Sequence, residues 1–229
     1  MSTDVRRMLE WRHRIVVALL LLTLYVASFG LSALEPLGYL HASGVQDLGH
    51  TLVPSLLRLI GEDRSEFVLW LGTLPLELFF VVIFFSVLLW GVGVRLAFCL
   101  YTMYLLHWLC RQLTTLVAPD ETVWNFPDWV LTFGSPGESD LWFSGHVANA
   151  FIIALATRGR DWRLQSVGWL YLVFQIWLVL ATRVHYTIDV VGGLFVAYTF
   201  HIVSLKLVGA FHKGDHRAGP GLPNAGGTL

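Results

Sequence analysis

Residues 164–208 read LQSVGWLYLVFQIWLVLATRVHYTIDVVGGLFVAYTFHIVSLKLV. Two apolar blocks, Leu164–Thr182 and Thr187–Val208, flank the short link Arg183-Val184-His185-Tyr186. Each block is close to the roughly 20 residues that a helix needs to cross a bilayer. Asp189 follows His185 by four residues, which predicts one helix face, with the carboxylate about a turn deeper. An ionised carboxylate at membrane depth is costly and by default marks a functional site with a partner. His185 is the natural partner. A carboxylate on one imidazole nitrogen fixes the tautomer and leaves the other nitrogen a better nucleophile.

The rest of the chain extends the same pattern. Of 229 residues, 55% are hydrophobic and 14% are charged, with a mean hydropathy of +0.64. A soluble domain carries about a quarter charged residues, so this chain lacks the charge for a water-exposed surface. The reading is all-α: a polytopic membrane protein with six transmembrane helices. Besides the two blocks above, the spans are roughly Ile15–Leu34, Leu74–Val94, Leu96–Val117 and Leu141–Thr157. Pro75 suits the first turn of the second span. A mixed segment around Leu48–Ile60 reads as an interfacial or re-entrant helix, and Gly91, Gly93 and Arg95 as a tight turn. The apolar run after Arg6, Arg7, Arg12 and Arg14 lacks a clear cleavage site and reads as a retained first helix. One domain, 1–212, precedes a tail, 213–229, whose composition predicts disorder. Cys99 and Cys110 share one apolar segment, too far apart along a helix to bridge.

Charge placement predicts the orientation. With the N-terminus inside, 11 of the 15 Lys and Arg fall on the cytoplasmic side. That excess puts both termini in the cytoplasm. Arg58, Arg64, Arg111 and Arg183 remain outside. Trp124, Trp129 and Trp142 then fall at the outer interface, where amphipathic rings are favoured.

This topology brings His146 and His185 to the same outer boundary. Ser144 and Gly145, just before His146, give a hydroxyl and a flexible backbone near a helix N-terminus, and such ends bind anions. Arg111 lies near the outer end of its span, with His107 and Thr114 on one face. Its guanidinium suits a phosphate, gripped by two parallel hydrogen bonds; snorkelling towards head groups is the plainer reading. His107 and Thr114 read first as packing and hydrogen-bonding groups, with Thr114 kept as a candidate substrate contact. Glu77 falls just below the outer surface, placed either to hold a cationic head group or to form a structural ion pair. Asp140 is either a helix cap or a substrate contact. Asp47 and His50 read as surface residues, and His201 as structural. Two histidines, a carboxylate, an arginine and a helix end suit phosphoryl transfer, where catalysis is mostly positioning and charge stabilisation.

Phe143-Ser144-Gly145-His146 and His185-Tyr186-Thr187-Ile188-Asp189-Val190 resemble the two signature motifs of the type 2 phosphatidic acid phosphatase (PAP2) superfamily, and more closely its sphingomyelin synthase-like branch. Asp140, four residues before Ser144, fits that branch, as does Arg111-Gln112-Leu113-Thr114 leading to Pro119. Glu138-Ser139 departs from the Cys-Gly that the branch tends to place before the aspartate. The general phosphatases have an arginine six residues before the second histidine, whereas Arg183 stands two before His185. The resemblance implies that His185 attacks phosphorus, Asp189 orients it, and His146 serves as acid and then base. It implies head-group transfer to a lipid alcohol such as ceramide or diacylglycerol. Arg111, Ser144, Gly145, Asp140, Glu77, Thr114 and Arg183 are the candidate substrate contacts.

Three other readings stay open: a lipid phosphate phosphatase with water as acceptor, a metal-dependent hydrolase using His146, His185, Asp189 and His50, and a non-catalytic phospholipid-binding protein. No nucleotide cofactor is expected, since no glycine-rich nucleotide loop is present, and the leading reading calls for no cofactor or metal. The expected partners are a phospholipid or sphingolipid substrate and the bilayer. The net charge of −1 gives no reason to expect nucleic acid.

Overall fold

The computed structural model describes residues 3–32, 47–52, 54, 58–59, 61, 65–113 and 143–215. Thr114, Pro119, Trp124, Trp129, Asp140 and Trp142 lie outside these residues, as does the tail from 216 onward. The described residues contain six α-helices and no strand. They are α1 (Thr3–Ser32), α2 (Ser65–Phe85), α3 (Val94–Leu113), α4 (Gly145–Thr157), α5 (Trp162–Ala181) and α6 (Thr187–Asp215). A 3-10 turn, Leu48–Leu52, lies between α1 and α2, and a π turn, Ser86–Trp90, extends α2. Among the described residues, three stretches are long and apolar enough to cross a membrane: Leu71–Trp90, Trp162–Ala181 and Thr187–Leu207. Val94–Cys110 and Gly145–Thr157 are shorter apolar helices. The chain is an integral membrane protein by these helices. Bulky apolar side chains such as Leu170, Val173, Phe195 and Leu78 stand exposed around the bundle, as a lipid-facing surface requires.

Besides α1, which begins at Thr3 rather than near Ile15, three boundaries differ from the expectation. Helix α2 begins at Ser65 rather than near Leu74, so Pro75 sits inside it, not in its first turn. A proline there removes one backbone bond and crowds the preceding turn. The carbonyl of Gly72, in that turn, accepts from the Tyr171 hydroxyl (2.7 Å) and from Gln175 Nε2 (2.5 Å). Donors from α5 thus bond the backbone of the crowded turn, one residue after Leu71, whose carbonyl the proline deprives of its usual N–H partner. The second difference is α6, which continues through Asp215, past the start expected for the disordered tail. The third is α4, whose helix begins at Gly145 and not near Leu141. The glycine turn is as expected: Gly91 (φ 65°) and Gly93 (φ 82°) both adopt the left-handed region that ends helices.

The buried core draws on all six helices, chiefly α2, α3 and α4. Leu76, Phe80, Leu100, Met103, Trp108, Phe143, Val147, Ile152 and Ala197 are among its fully or nearly fully buried members. Phe80 packs edge-on against Tyr101 and Tyr104, and Tyr104 against Trp108. Such edge contacts add about 0.5–1.5 kcal/mol per pair beyond area burial. Cys99 and Cys110 are both free and both on α3.

Helix α6 lies against the start of α4. The two come close at Gly193, where an added Cβ would stand 2.7 Å from the Ser144 carbonyl oxygen. Gly193→Ala must therefore push the two helices apart, because backbone cannot rotate away as a side chain can. The expected loss is about 1–3 kcal/mol, read as a lower midpoint of thermal unfolding in detergent. An unchanged midpoint would show that the two helix starts are not in this contact.

Candidate active site

The link between α5 and α6 is fixed at both ends by backbone bonds. Helix α5 ends at Thr182, after which Arg183 N–H donates to Leu180 O (3.1 Å) and Val184 N–H to Val179 O (3.1 Å). These are the paired bonds of a Schellman ending. The residue at its left-handed position is Arg183, at φ 55°. Glycine is the usual occupant there, and another residue costs about 1–2 kcal/mol. His185 N–H then reaches Val179 O at 3.3 Å.

Helix α6 starts at the next turn. Tyr186 N–H donates to Asp189 Oδ2 at 2.9 Å, and Asp189 N–H donates back to Tyr186 O at 3.0 Å. An acidic side chain three residues into a helix that accepts the cap residue's N–H is half of a capping box. The same carboxylate oxygen lies 3.5 Å from His185 Nδ1. That is ion-pair range but longer than a hydrogen bond, and such contacts are often loose before substrate binds. His185 is 4% exposed and Asp189 1%. The spacing of four residues arises differently from the expectation: His185 stands before the helix and Asp189 in its first turn.

Ser144 caps α4, its Oγ accepting from Val147 N–H at 3.3 Å. Gly145 and His146 follow as the first two helical residues, and His146 is 8% exposed. The two motifs are joined directly, for Ser144 N–H donates to Asp189 O at 2.9 Å. The starts of α4 and α6 therefore lie at one end of the bundle. The ring of His107 on α3 packs edge-on against Phe143 at 4.9 Å between centroids, and a Cβ on Gly145 would rest 3.7 Å from it. His107 is thus a packing group beneath the Ser-Gly-His turn. The backbone of Arg111 lies in the next turn of α3.

Glu77 is 5% exposed on α2 and within electrostatic reach of Tyr25 on α1. Thr114 and Asp140 lie outside the described residues. Among the described residues, no three of His, Cys, Asp and Glu gather as a metal-holding group.

Two residues read as surface groups touch the motif. Asp47 accepts from Thr187 N–H through Oδ2 (2.7 Å) and from Thr187 Oγ1 through Oδ1 (2.6 Å). Burial alone would raise the Asp47 carboxyl, but the Thr187 and Gly49 donors, with His50 nearby, outweigh it and hold it below its ordinary value. His50 Nε2 lies 3.1 Å from His185 O, and its ring lies 5.4 Å from that of Tyr186. The one signal available beforehand was an acid and a histidine at i, i+3 beside a glycine, which is weak.

Comparison with known proteins agrees with the motifs. The chain is 28% identical over 205 residues to a phosphatidylinositol:ceramide inositolphosphotransferase 3 of Arabidopsis thaliana. The alignment takes in 72% of this chain and 64% of that relative, so the chain spans a little under two thirds of the relative's length. No solved structure matches the chain. Residues 139–206 match the family model described as PAP2 superfamily C-terminal. The segment that carries Ser144, His146, His185 and Asp189 is thus the part of the chain that is similar to the C-terminal region of the PAP2 superfamily.

Proposed function

We propose that this protein is a membrane-embedded lipid phosphotransferase working through a phosphohistidine at His185. The observation that carries the reading is the junction of the two motifs: Ser144 N–H bonds Asp189 O, while Asp189 Oδ2 faces His185 Nδ1. With Nδ1 turned to the carboxylate, Nε2 is the nitrogen that attacks phosphorus. The P–O bond to the donor's lipid alcohol breaks as the P–N bond forms. His146 delivers the proton that the departing oxygen needs. In the second step His146 takes the proton of an acceptor alcohol, whose oxygen attacks phosphorus and releases His185. The start of α4 supplies the positive end of a helix for phosphate charge. Arg111 and Arg183 supply guanidinium groups, and Gly145 lets the backbone come close. Ser144 serves chiefly by capping α4. Asp140, Thr114 and Glu77 are assigned to the head group and its surroundings.

The acceptor is a lipid alcohol of the ceramide or diacylglycerol type, and the donor is a phospholipid. The Arabidopsis relative, named for transfer between phosphatidylinositol and ceramide, supports this choice over transfer to water. The site opens on the non-cytoplasmic face, a reading that rests on the excess of Lys and Arg on the opposite side. The test uses liposomes holding the purified protein, labelled ceramide or diacylglycerol, and in turn phosphatidylinositol, phosphatidylcholine, phosphatidylethanolamine or phosphatidic acid. A new labelled phospholipid or phosphosphingolipid, absent with His185→Ala, is the expected result. Free phosphate from phosphatidic acid alone would instead establish a phosphatase. Loss of turnover on chelation would point to the metal-dependent hydrolase.

Arg183 offers a separate check. Its left-handed backbone is strained, and strain of this kind collects at functional sites. Arg183→Gly relieves it and is expected to raise stability by up to about 1 kcal/mol. The same change removes a guanidinium from the site and should raise KM for the phospholipid donor several-fold. A variant that is more stable with unchanged KM would remove Arg183 from the substrate contacts.

A further inference from the structure

We infer that Asp47 and His50, in the turn between α1 and α2, are positioning residues that hold the backbone of residues 185–187 so that the His185 ring meets phosphorus in line. The inference rests on the function proposed above. The link and the turn are far apart in sequence, yet three consecutive residues, the last two of the link and the first of α6, are held by the turn. Thr187 gives Asp47 its N–H and its hydroxyl (2.7 and 2.6 Å). Tyr186 lies beside the His50 ring at 5.4 Å. His185 O lies 3.1 Å from His50 Nε2. A carbonyl only accepts, so His50 Nε2 must carry a proton in this contact.

The turn is itself built for the purpose. Gly49 N–H donates to Asp47 Oδ1 at 2.7 Å, fixing the carboxylate that faces Thr187. A Cβ on Gly49 would stand 2.6 Å from Thr187 Oγ1 and 2.8 Å from Leu180 Cδ2, so no side chain fits between turn and link. The N–H of the first helical residue has no partner within its own helix. Asp47 supplies one for α6, and adds a negative charge at the end of a helix that favours it. The bonds of Asp47 and His50 to this segment end on the His185 carbonyl and on the N–H and hydroxyl of Thr187. Their effect passes through the main chain, in which a displacement of about 1 Å can cost roughly 100-fold in rate.

Four variants test the inference with the full-length protein in liposomes. Asp47→Ala and His50→Phe remove the acceptor and the donor. Asp47→Asn keeps an acceptor oxygen for Thr187, and His50→Gln keeps an N–H for His185 O. The expected result is a fall in kcat of roughly 10- to 100-fold for the first pair, with KM within about threefold of wild type. The second pair should recover most of the loss. Hydrogen exchange across residues 184–190 should quicken in Asp47→Ala and not in Asp47→Asn. Unchanged kcat in Asp47→Ala and His50→Phe would overturn the inference, as would equal damage by the conservative and the disruptive variants. Wild-type protein without lipid turnover would sink the proposed function instead. In that event the exchange measurement decides: unchanged exchange in Asp47→Ala overturns the clamp, and faster exchange confined to 184–190 supports it.

Discussion

His185→Ala is expected to abolish lipid head-group transfer, with a loss of about 1,000-fold or more, while the protein keeps its fold. The fold should survive because the bonds at residue 185 are made by the main chain: N–H to Val179 O, and O to His50. Asp189→Asn is the more searching variant. Oδ2 now faces both the Tyr186 N–H and His185 Nδ1. An asparagine that serves Tyr186 with its oxygen leaves that oxygen facing Nδ1 as well, so the tautomer is kept but the negative charge that stabilises the cationic phosphohistidine is lost. With the NH2 in that place instead, it faces the Tyr186 donor, Nδ1 must accept, and the ring proton moves to Nε2, where it removes the attacking lone pair. A loss of roughly 100- to 10,000-fold is expected, as for other carboxylates that fix a catalytic imidazole. The weakened helix cap should cost only about 1 kcal/mol. Measuring the phosphoryl-enzyme directly by mass spectrometry separates the two effects: a folded Asp189→Asn protein should form none at rates where wild type is saturated. Full labelling of His185→Ala would place the nucleophile elsewhere.

How far the sequence could be read depended on the kind of physics involved. The apolar blocks were plain because crossing a bilayer demands length and the exclusion of charge, both visible without structure. Asp189 stood out because a carboxylate there violates that demand. The Ser-Gly-His turn was readable as a helix start, and Ser144 is indeed the cap. The start of α2 was not, because Pro75 usually begins a helix. Its tolerance depends on Tyr171 and Gln175, which no local pattern links to Gly72. Asp47 and His50 were missed for the same reason. Each is an ordinary polar residue in a polar stretch, and its meaning lies in a bond to residue 187 or 185. Sequence patterns report periodicity and local chemistry; they do not report which orphan N–H a distant carboxylate will satisfy. Arg183 shows a further limit: its strain is a backbone property, and an arginine gives no sign of it beforehand.

His146→Ala should separate substrates by how much help their leaving oxygen needs. If His146 is the acid, its removal leaves a lipid alkoxide to depart unprotonated, and general acid catalysis of this kind is worth roughly 100- to 10,000-fold. A nitrophenyl ester of the same phosphoryl group departs as a stable anion and needs little protonation. The expected losses are therefore about 1,000-fold on the natural phospholipid and less than about tenfold on the activated ester. The position of His146 makes the comparison clean. It is the second residue of α4, while the bonds that join α4 to α6 are made by Ser144 and Asp189 through their main chains. Truncating the imidazole leaves those bonds in place, so a general collapse of the site is not the expected route to lost activity. Gly193→Ala is the control for such a collapse, since it separates the helix starts without touching either histidine and should slow both esters alike. Equal loss on both substrates in His146→Ala, matching the Gly193→Ala pattern, would mean that the ring supports the site's shape and that the proton comes from another group.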